Sequence, residues 1–336
     1  MRLAVIIPVS PFEPLEILIK SAKHILSLDY GDLDYKILYV IDKLNENDNR
    51  GLILRKMGVE VLERDTNRGK RAGAINDGLK YLEKYKPDYV AIFDVDTRPE
   101  KDFIVKCVST LKKEDKAYIV SGPRYISNPI NLTSQTIEIE YYLINYLLRK
   151  SKFKQFNGLI GVLRADILRR FKLNEYAITE DADFATRMHC KGYKAIFIDA
   201  KVYEQAPISW RDFFKQRERW YYGGLQLWKY WNDVKNSRDL WFKLSWLSAL
   251  TLTYVPILFT PLILLTPLFL IYIWKNKNKN YNNNKNNKDR NKYRKLGVTF
   301  GLFIYVLILQ YAALRAVLKF VRRSEVKWHP IRRVLH

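Results

Sequence analysis

Tyr89-Val90-Ala91-Ile92-Phe93-Asp94-Val95-Asp96 is an apolar run that closes on two carboxylates one residue apart. Its first residues read as a buried β-strand. A buried strand rarely ends in paired acids unless a cation or a polar ligand meets them. In an open α/β sheet the carboxyl ends of the strands form the ligand crevice, so the position is as informative as the residues. Hard, paired oxygen donors suit Mg²⁺ or Mn²⁺ holding a diphosphate. Taken alone, the pair fits an Asp-rich turn or a helix cap equally well.

Outward from this stretch, residues 1–230 alternate between short apolar runs and longer helical patterns. That alternation argues for an α/β domain, a mostly parallel sheet with helices on both faces. Strands are expected at 3–8, 36–41, 59–63, 89–94, 117–121 and 194–199. Helices are expected at 13–27, 69–85, 101–112, 134–150 and 181–191. His189, between Met188 and Cys190 on the last of these, reads as a packed core residue.

The character changes near Trp241. Residues 244–273 are almost uncharged and 296–314 form a second apolar stretch. Each is long enough to cross a bilayer core of about 30 Å. Pro256, Pro261 and Pro267 make the first either one kinked span or a broken hairpin. The organisation expected is a catalytic domain at 1–235 with an interfacial helix near 205–235, a membrane segment or hairpin at 241–274, a basic Asn/Lys-rich linker at 275–295, a membrane helix at 296–321 and a basic tail at 322–336. The 336-residue chain carries a net charge of +23, so it meets something anionic. Basic residues beside apolar segments suit lipid headgroups better than nucleic acid. Cys107 and Cys190 lack metal-ligand spacing and suggest no disulfide framework. The first residues are too short a stretch for a signal peptide and run straight into a strand, so the large domain is expected in the cytoplasm. The positive-inside tendency cannot satisfy both basic segments with simple crossings, so the topology stays open.

Four further features bear on chemistry. Val5-Ile6-Ile7-Pro8 and Leu38-Tyr39-Val40-Ile41-Asp42 are strands, the second ending in an acid. Asn67-Arg68-Gly69-Lys70-Arg71-Ala72-Gly73-Ala74-Ile75-Asn76 places a glycine, two cations and small residues at a helix start, where unpaired N–H groups receive a diphosphate. Ile178-Thr179-Glu180-Asp181 alone is a helix cap with acids in the first turn. Gln216-Arg217-Glu218-Arg219-Trp220 alone reads as an amphipathic helix at a membrane surface.

In this order, together with the Asp94/Asp96 pair, they resemble the membrane-bound inverting glycosyltransferases of family 2. That group holds the cellulose, chitin and hyaluronan synthases and ceramide glucosyltransferase, and the resemblance runs from about Leu3 to Trp220. It implies a GT-A fold and transfer of a sugar from a UDP- or GDP-linked donor. Pro8 and Asp42 would lie on the nucleotide side, although Asp42-Lys43-Leu44-Asn45 departs from the family's Asp-Asp-Gly-Ser turn. Lys70, Arg71, Arg217 and Arg219 would face the diphosphate. Asp96 would ligate Mg²⁺ or Mn²⁺, and Asp94 would contact the ribose or the metal. Asp181, with Glu180 beside it, would take the proton of the acceptor hydroxyl. Gly158, in a segment like the family's Phe-x-Gly, would lie under the acceptor together with Gln216 and Trp220.

Polymer synthases lead their product through a channel of many helices, which two or three apolar segments in one chain cannot enclose. A lipid or lipid-linked acceptor at the membrane is therefore expected. A processive polysaccharide synthase, its channel assembled in a homo-oligomer, is the alternative. A non-catalytic basic protein that binds anionic lipid would leave Asp94, Asp96, Glu180 and Asp181 without purpose.

Overall fold

The computed structural model describes residues 1–252, 254, 288–324, 326 and 334. The remainder of the first apolar stretch, most of the basic linker and most of the tail lie outside the described residues.

Strand β1 (Arg2–Val9) is central and buried along nearly its whole length. Its Leu3, Val5 and Ile7 join one hydrophobic cluster, while Ala4 and Ile6 join another, the period-two alternation of a strand covered on both faces. Helix α1 (Leu15–Leu26) leads to β2 (Asp34–Asp42), then α2 (Arg50–Lys56), β3 (Glu60–Arg64), α3 (Lys70–Tyr81) and β4 (Tyr89–Ile92). Next come β5 (Arg98–Pro99), α4 (Phe103–Lys113), β6 (Ala117–Ser121), β7 (Arg124–Ile126) and α5 (Leu132–Lys150). They are followed by β8 (Gly161–Arg164), α6 (Ala165–Phe171), α7 (Glu180–Cys190), β9 (Lys194–Phe197) and β10 (Val202–Glu204). Helices α8 (Trp210–Gln226), α9 (Trp231–Asn236), α10 (Leu240–Thr251) and α11 (Lys288–Val321) complete the described chain.

The main sheet has the order β3-β2-β1-β4-β8-β6-β9 and is parallel except for β8. Helices α1 and α4 cover one face; α3, α6, α7 and α10 cover the other. β4 pairs with β1 only as far as Ile6↔Ile92. Pro8 lies beyond that point, where β1 has a partner on the β2 side alone, which is where a central strand tolerates a residue without an N–H. Because β4 leaves the sheet at Ile92, two residues before the expected end, Phe93 to Asp96 turn outward over its carboxyl edge. The turn is closed by Thr97 N donating to the Asp94 carbonyl at 2.9 Å and Asp94 N donating to Thr97 Oγ1 at 3.2 Å. A second, small sheet of β5, β10 and β7 stands beside this edge.

The boundary expected at Trp241 cuts through packed structure. In α10, Phe242 and Trp246 are buried and Leu250 nearly so, all in the core cluster that includes Ile75 and Phe184. Trp246 Nε1 also donates to Thr186 Oγ1 at 3.1 Å. His189 is a core residue, its ring stacked on Phe242 at 5.2 Å. Helix α11 contains the 22-residue stretch Phe300–Val321, among the described residues the one helix long and apolar enough to cross a membrane. It runs along α8. Tyr305 stacks on Phe213, Tyr311 stacks on Phe214, and Arg315 and Lys319 flank buried Glu218 at 3.2 and 2.9 Å.

Candidate active site

Arg71, in the first turn of α3, points inward over the carboxyl edge of the sheet. Its Nε donates to Asp94 Oδ1 at 2.8 Å and its Nη1 to Glu180 Oε1 at 2.9 Å. Its Nη2 donates to the Gly158 carbonyl. Gly158 N in turn donates to Asp181 Oδ2 at 2.5 Å, and Ala182 N donates to Asp181 Oδ1 at 2.8 Å. One guanidinium and the backbone of one glycine therefore join acids that are 86 and 87 residues apart along the chain. Gly158 is at φ +62°, and a Cβ there would stand 3.2 Å from Arg71 Nη2 and 3.3 Å from Asp94 Oδ2. The left-handed backbone favours glycine here, and the space beside it is tight.

Burial holds the Glu180 carboxyl above the ordinary range; Arg71 opposes this, and the Asp181 charge adds to it. Arg219 is close enough to pull Glu180 back down as well. Asp96 is 8% exposed and accepts from Gln205 N at 3.2 Å. Glu204, one residue earlier, accepts from Arg124 Nη1 at 3.1 Å and from the Tyr141 hydroxyl at 2.5 Å. Its carboxyl is raised chiefly by burial, with a contribution from the charges of Asp96 and Asp94. Negative charge thus converges beyond β4 from both sheets.

The remaining expected residues divide. Lys70 is exposed at the mouth of α3. Asp42 is buried against Arg64, 3.3 Å away, and burial lifts its carboxyl to about 6. Pro8 is buried in β1. On α8, residues three and four apart share a face. Gly223 of this helix lies at the start of α7, where a Cβ would stand 2.3 Å from Thr179 Oγ1, and Arg219 acts on the Glu180 carboxyl. Arg217 is held by α5. It is 4% exposed and donates to Glu140 Oε2 of α5 at 2.6 Å, with the Trp220 ring 3.9 Å from its guanidinium carbon. Arg71 likewise has all three of its donor positions engaged with protein.

Residues 89–316 match the model of the glycosyl transferase family group 2. The chain belongs to this family. The glycosyltransferase is 30% identical over 207 residues to glucomannan 4-beta-mannosyltransferase 7 of Arabidopsis thaliana, covering 57% of this chain and 37% of that protein. It is 25% identical over 280 residues to probable glucomannan 4-beta-mannosyltransferase 11 of Oryza sativa, covering 75% of this chain and 49% of that protein. The chain thus spans less than half the length of either relative. Among solved structures it is similar to a mannosyltransferase from Pyrobaculum calidifontis in complex with GDP-Man and Mn²⁺. The TM-score is 0.66 at 17% identity, covering 96% of this chain and 88% of that one. The glycosyltransferase has the GT-A fold.

A divalent cation suits the donor set of this glycosyltransferase. Asp96 and the outer oxygen of Asp94 are hard ligands, and their charges bear together on Glu204. Mg²⁺ and Mn²⁺ held beside phosphates take one or two carboxylates and complete their shell with phosphate oxygens and water. Among the described residues no three of His, Cys, Asp or Glu stand together as a metal cage. Reading the sequence missed Arg124, Glu204 and Glu140. Arg124 bonds both Glu204 and the Asn157 carbonyl, bracing the acids and the Gly158 turn together. No spacing motif marks these three; only their burial as charged residues does.

Proposed function

We propose that this glycosyltransferase is a metal-dependent, inverting mannosyltransferase that takes its sugar from a nucleotide donor, GDP-mannose first, at a membrane surface in the cytoplasm. The observation that carries the reading is the meeting of Asp181 with Asp94 across Gly158 and Arg71. The mannose preference is supported by the names of the relatives and by the GDP-Man bound to the similar structure.

The acceptor hydroxyl gives its proton to the Asp181 carboxylate while its oxygen bonds to the anomeric carbon. The bond from that carbon to the phosphate oxygen breaks on the opposite face, and its electron pair leaves with the nucleoside diphosphate. A cation held by Asp96, with Asp94 beside it, would offset charge on the leaving diphosphate as a Lewis acid. Lys70, exposed at the start of α3, and Arg219, near Glu180, would face that diphosphate. Arg71 keeps Asp94 and Glu180 in position, and Glu180 backs the base. Trp220 and Gln216 bound the acceptor side. The acceptor is a lipid-linked glycan or lipid. A second reading, extension of a free β-glycan chain, is favoured by the relatives' names.

The test is turnover of GDP-mannose and a UDP-sugar panel with Mn²⁺ or Mg²⁺ and membrane lipids, with the anomeric configuration of the product read by NMR. Asp181→Asn is expected to lower kcat by about 10²–10⁴-fold, the scale of general-base catalysis, with little change in KM. Full activity in that variant, or a product that keeps the donor's configuration, would refute the assignment.

A further inference from the structure

Glu140 and Arg217 form an ion pair where charge is expensive. Arg217 Nη2 donates to Glu140 Oε2 at 2.6 Å, and the two side chains are 4% and 14% exposed, the arginine the deeper. Phe213, 4.8 Å from the guanidinium carbon, belongs to an apolar cluster with Ile137 and Tyr141, and Tyr305 packs against it. Three helices meet on the one carboxylate. Glu140 is on α5, Arg217 is on α8, and the Tyr305 hydroxyl of α11 donates to it as well. An ion pair this deep is a poor source of stability, since apolar side chains of similar volume often hold such a place as well or better. What the pair adds is direction.

Trp220 receives that direction. Phe213, Arg217 and Trp220 follow one another along α8 at spacings of four and three. The guanidinium carbon stands 3.9 Å from the centre of the Trp220 ring. A cation so close to an indole, and out of water, attracts the ring strongly. The carboxylate thus fixes the guanidinium, and the guanidinium fixes the indole. Trp220 still keeps part of its surface exposed. Three residues further along, Gly223 meets Thr179, two residues before Asp181. Trp220 therefore lies on α8 between the anchor in α5 and the turn that carries the base.

We propose that the buried Glu140–Arg217 pair is a positioning element for the acceptor. It holds the Trp220 indole as the flat wall against which a sugar unit of the acceptor glycan lies. Both residues act through Trp220 and not on the reacting atoms. The acceptor half of this proposal rests on the transfer reading given above; the holding of Trp220 by Glu140 through Arg217 does not. Tyr305 ties α11 to the same carboxylate, so one group sets both the apolar helix and the acceptor wall.

Glu140→Gln alone strands a buried cation and tests folding as much as position. The informative variant is Glu140→Gln with Arg217→Met, which removes both charges and keeps the volume. Arg217→Lys is made beside it: the charge stays, but an ammonium lacks the planar fork that serves carboxylate and ring together. The full-length chain in a zwitterionic detergent carries 5-fluorotryptophan, and Trp220→Phe identifies the fluorine line of residue 220. β-1,4-Mannotetraose probes the acceptor side and GDP with Mn²⁺ the donor side. In the wild type the Trp220 line should be narrow and be shifted by the tetraose. In the double variant it should move or broaden. Tetraose affinity should fall by about 5- to 30-fold, the scale of a desolvated cation–ring contact, while GDP affinity stays within about 2-fold. Arg217→Lys should move the line in the same direction by less. An unchanged Trp220 line in both variants overturns the proposal, because the pair would then be packing alone. A moved line with unchanged tetraose affinity overturns the acceptor role, and so does an equal loss of GDP affinity. A tetraose that shifts the line in no variant, while GDP binds, overturns the placement of Trp220 on the acceptor side. Failure to bind GDP in the wild type would instead refute the donor reading, and the Trp220 line would still report whether Glu140 holds the indole.

Discussion

Arg71 sits beside Lys70 in the sequence, yet the two side chains have opposite fates. Successive helical residues are turned by about 100°, so one cation can face solvent while its neighbour enters the site. Lys70 is exposed; Arg71 reaches Asp94, Glu180 and the Gly158 carbonyl. A planar guanidinium serves three acceptors in a fixed fork, whereas an ammonium offers a single charge centre. Arg71→Lys is therefore expected to leave the buried Glu180 without its full partner. Lysine keeps the charge, so the cost should be nearer the roughly 1–3 kcal/mol of leaving a buried acceptor without its hydrogen bond, Glu180 being 8% exposed. Urea unfolding and kcat measured together would check this. A midpoint and a rate both unchanged would mean that the guanidinium does not brace the site. The run 67–76 marked the site in the sequence. Its spacing could not say which cation turns inward, because that depends on Glu180, 109 residues away.

At the scale of elements, the sheet was legible wherever strands are long and apolar, and illegible where they are short. β8 is four residues starting at Gly161, and β5, β7 and β10 are three residues or fewer. Such segments are defined by their partners rather than by their own pattern. The docking of α10 on α7 was hidden for a different reason: its apolar residues read equally as membrane or as core. His189 lies at that contact, between Phe153 and Phe242. Burial pushes its ring down to about 4 from 6.5. Between those values the unfolded chain binds a proton that the folded chain refuses. The contribution is thus present above pH 6.5 and is lost as pH falls toward 4. A shift of this size corresponds to about 3 kcal/mol. Asp42 acts in the opposite sense. Its carboxyl, raised to about 6 from 3.8 by burial, holds a proton that the unfolded chain releases. That contribution is present below 3.8 and is lost as pH rises toward 6. The two partly cancel, so the wild-type profile alone is uninformative. The difference between His189→Phe and wild type isolates the histidine. It should shift by about 3 kcal/mol in favour of the variant between pH 7 and pH 4, read by denaturant titration at each pH. A difference that stays constant across this range would show that His189 is not kept neutral by the core.

At the scale of the whole molecule, the question is where the catalytic unit ends. Composition places the change at Trp241, which implies that a chain cut before it is a more soluble protein with weakened transfer to a lipid acceptor. Packing places the change later. Phe242, Trp246 and Leu250 fill the space over α7, with Trp246 against Trp228 at 5.5 Å. Truncating a single buried tryptophan costs about 3–5 kcal/mol. Losing all three side chains at once rivals the roughly 5–15 kcal/mol by which whole domains are stable. A chain ending at Asp239 is accordingly expected to lose its near-UV circular dichroism and its cooperative melting. A chain ending at Tyr254 keeps α10, and with it the hydrogen bond from the Tyr254 hydroxyl to the Tyr221 carbonyl at 3.1 Å. It loses α11, which uncovers Phe213 and leaves Glu218 without Arg315 and Lys319. Arg315 is 42% exposed, so part of that pairing is already shared with water and the penalty is nearer a surface pair's 0–1 kcal/mol than a buried one's. The uncovered aromatic face adds more, lowering the melting temperature without abolishing the transition. Comparing the two truncations separates the alternatives: equally sharp melting in both would place α10 outside the core and restore the boundary that composition suggests.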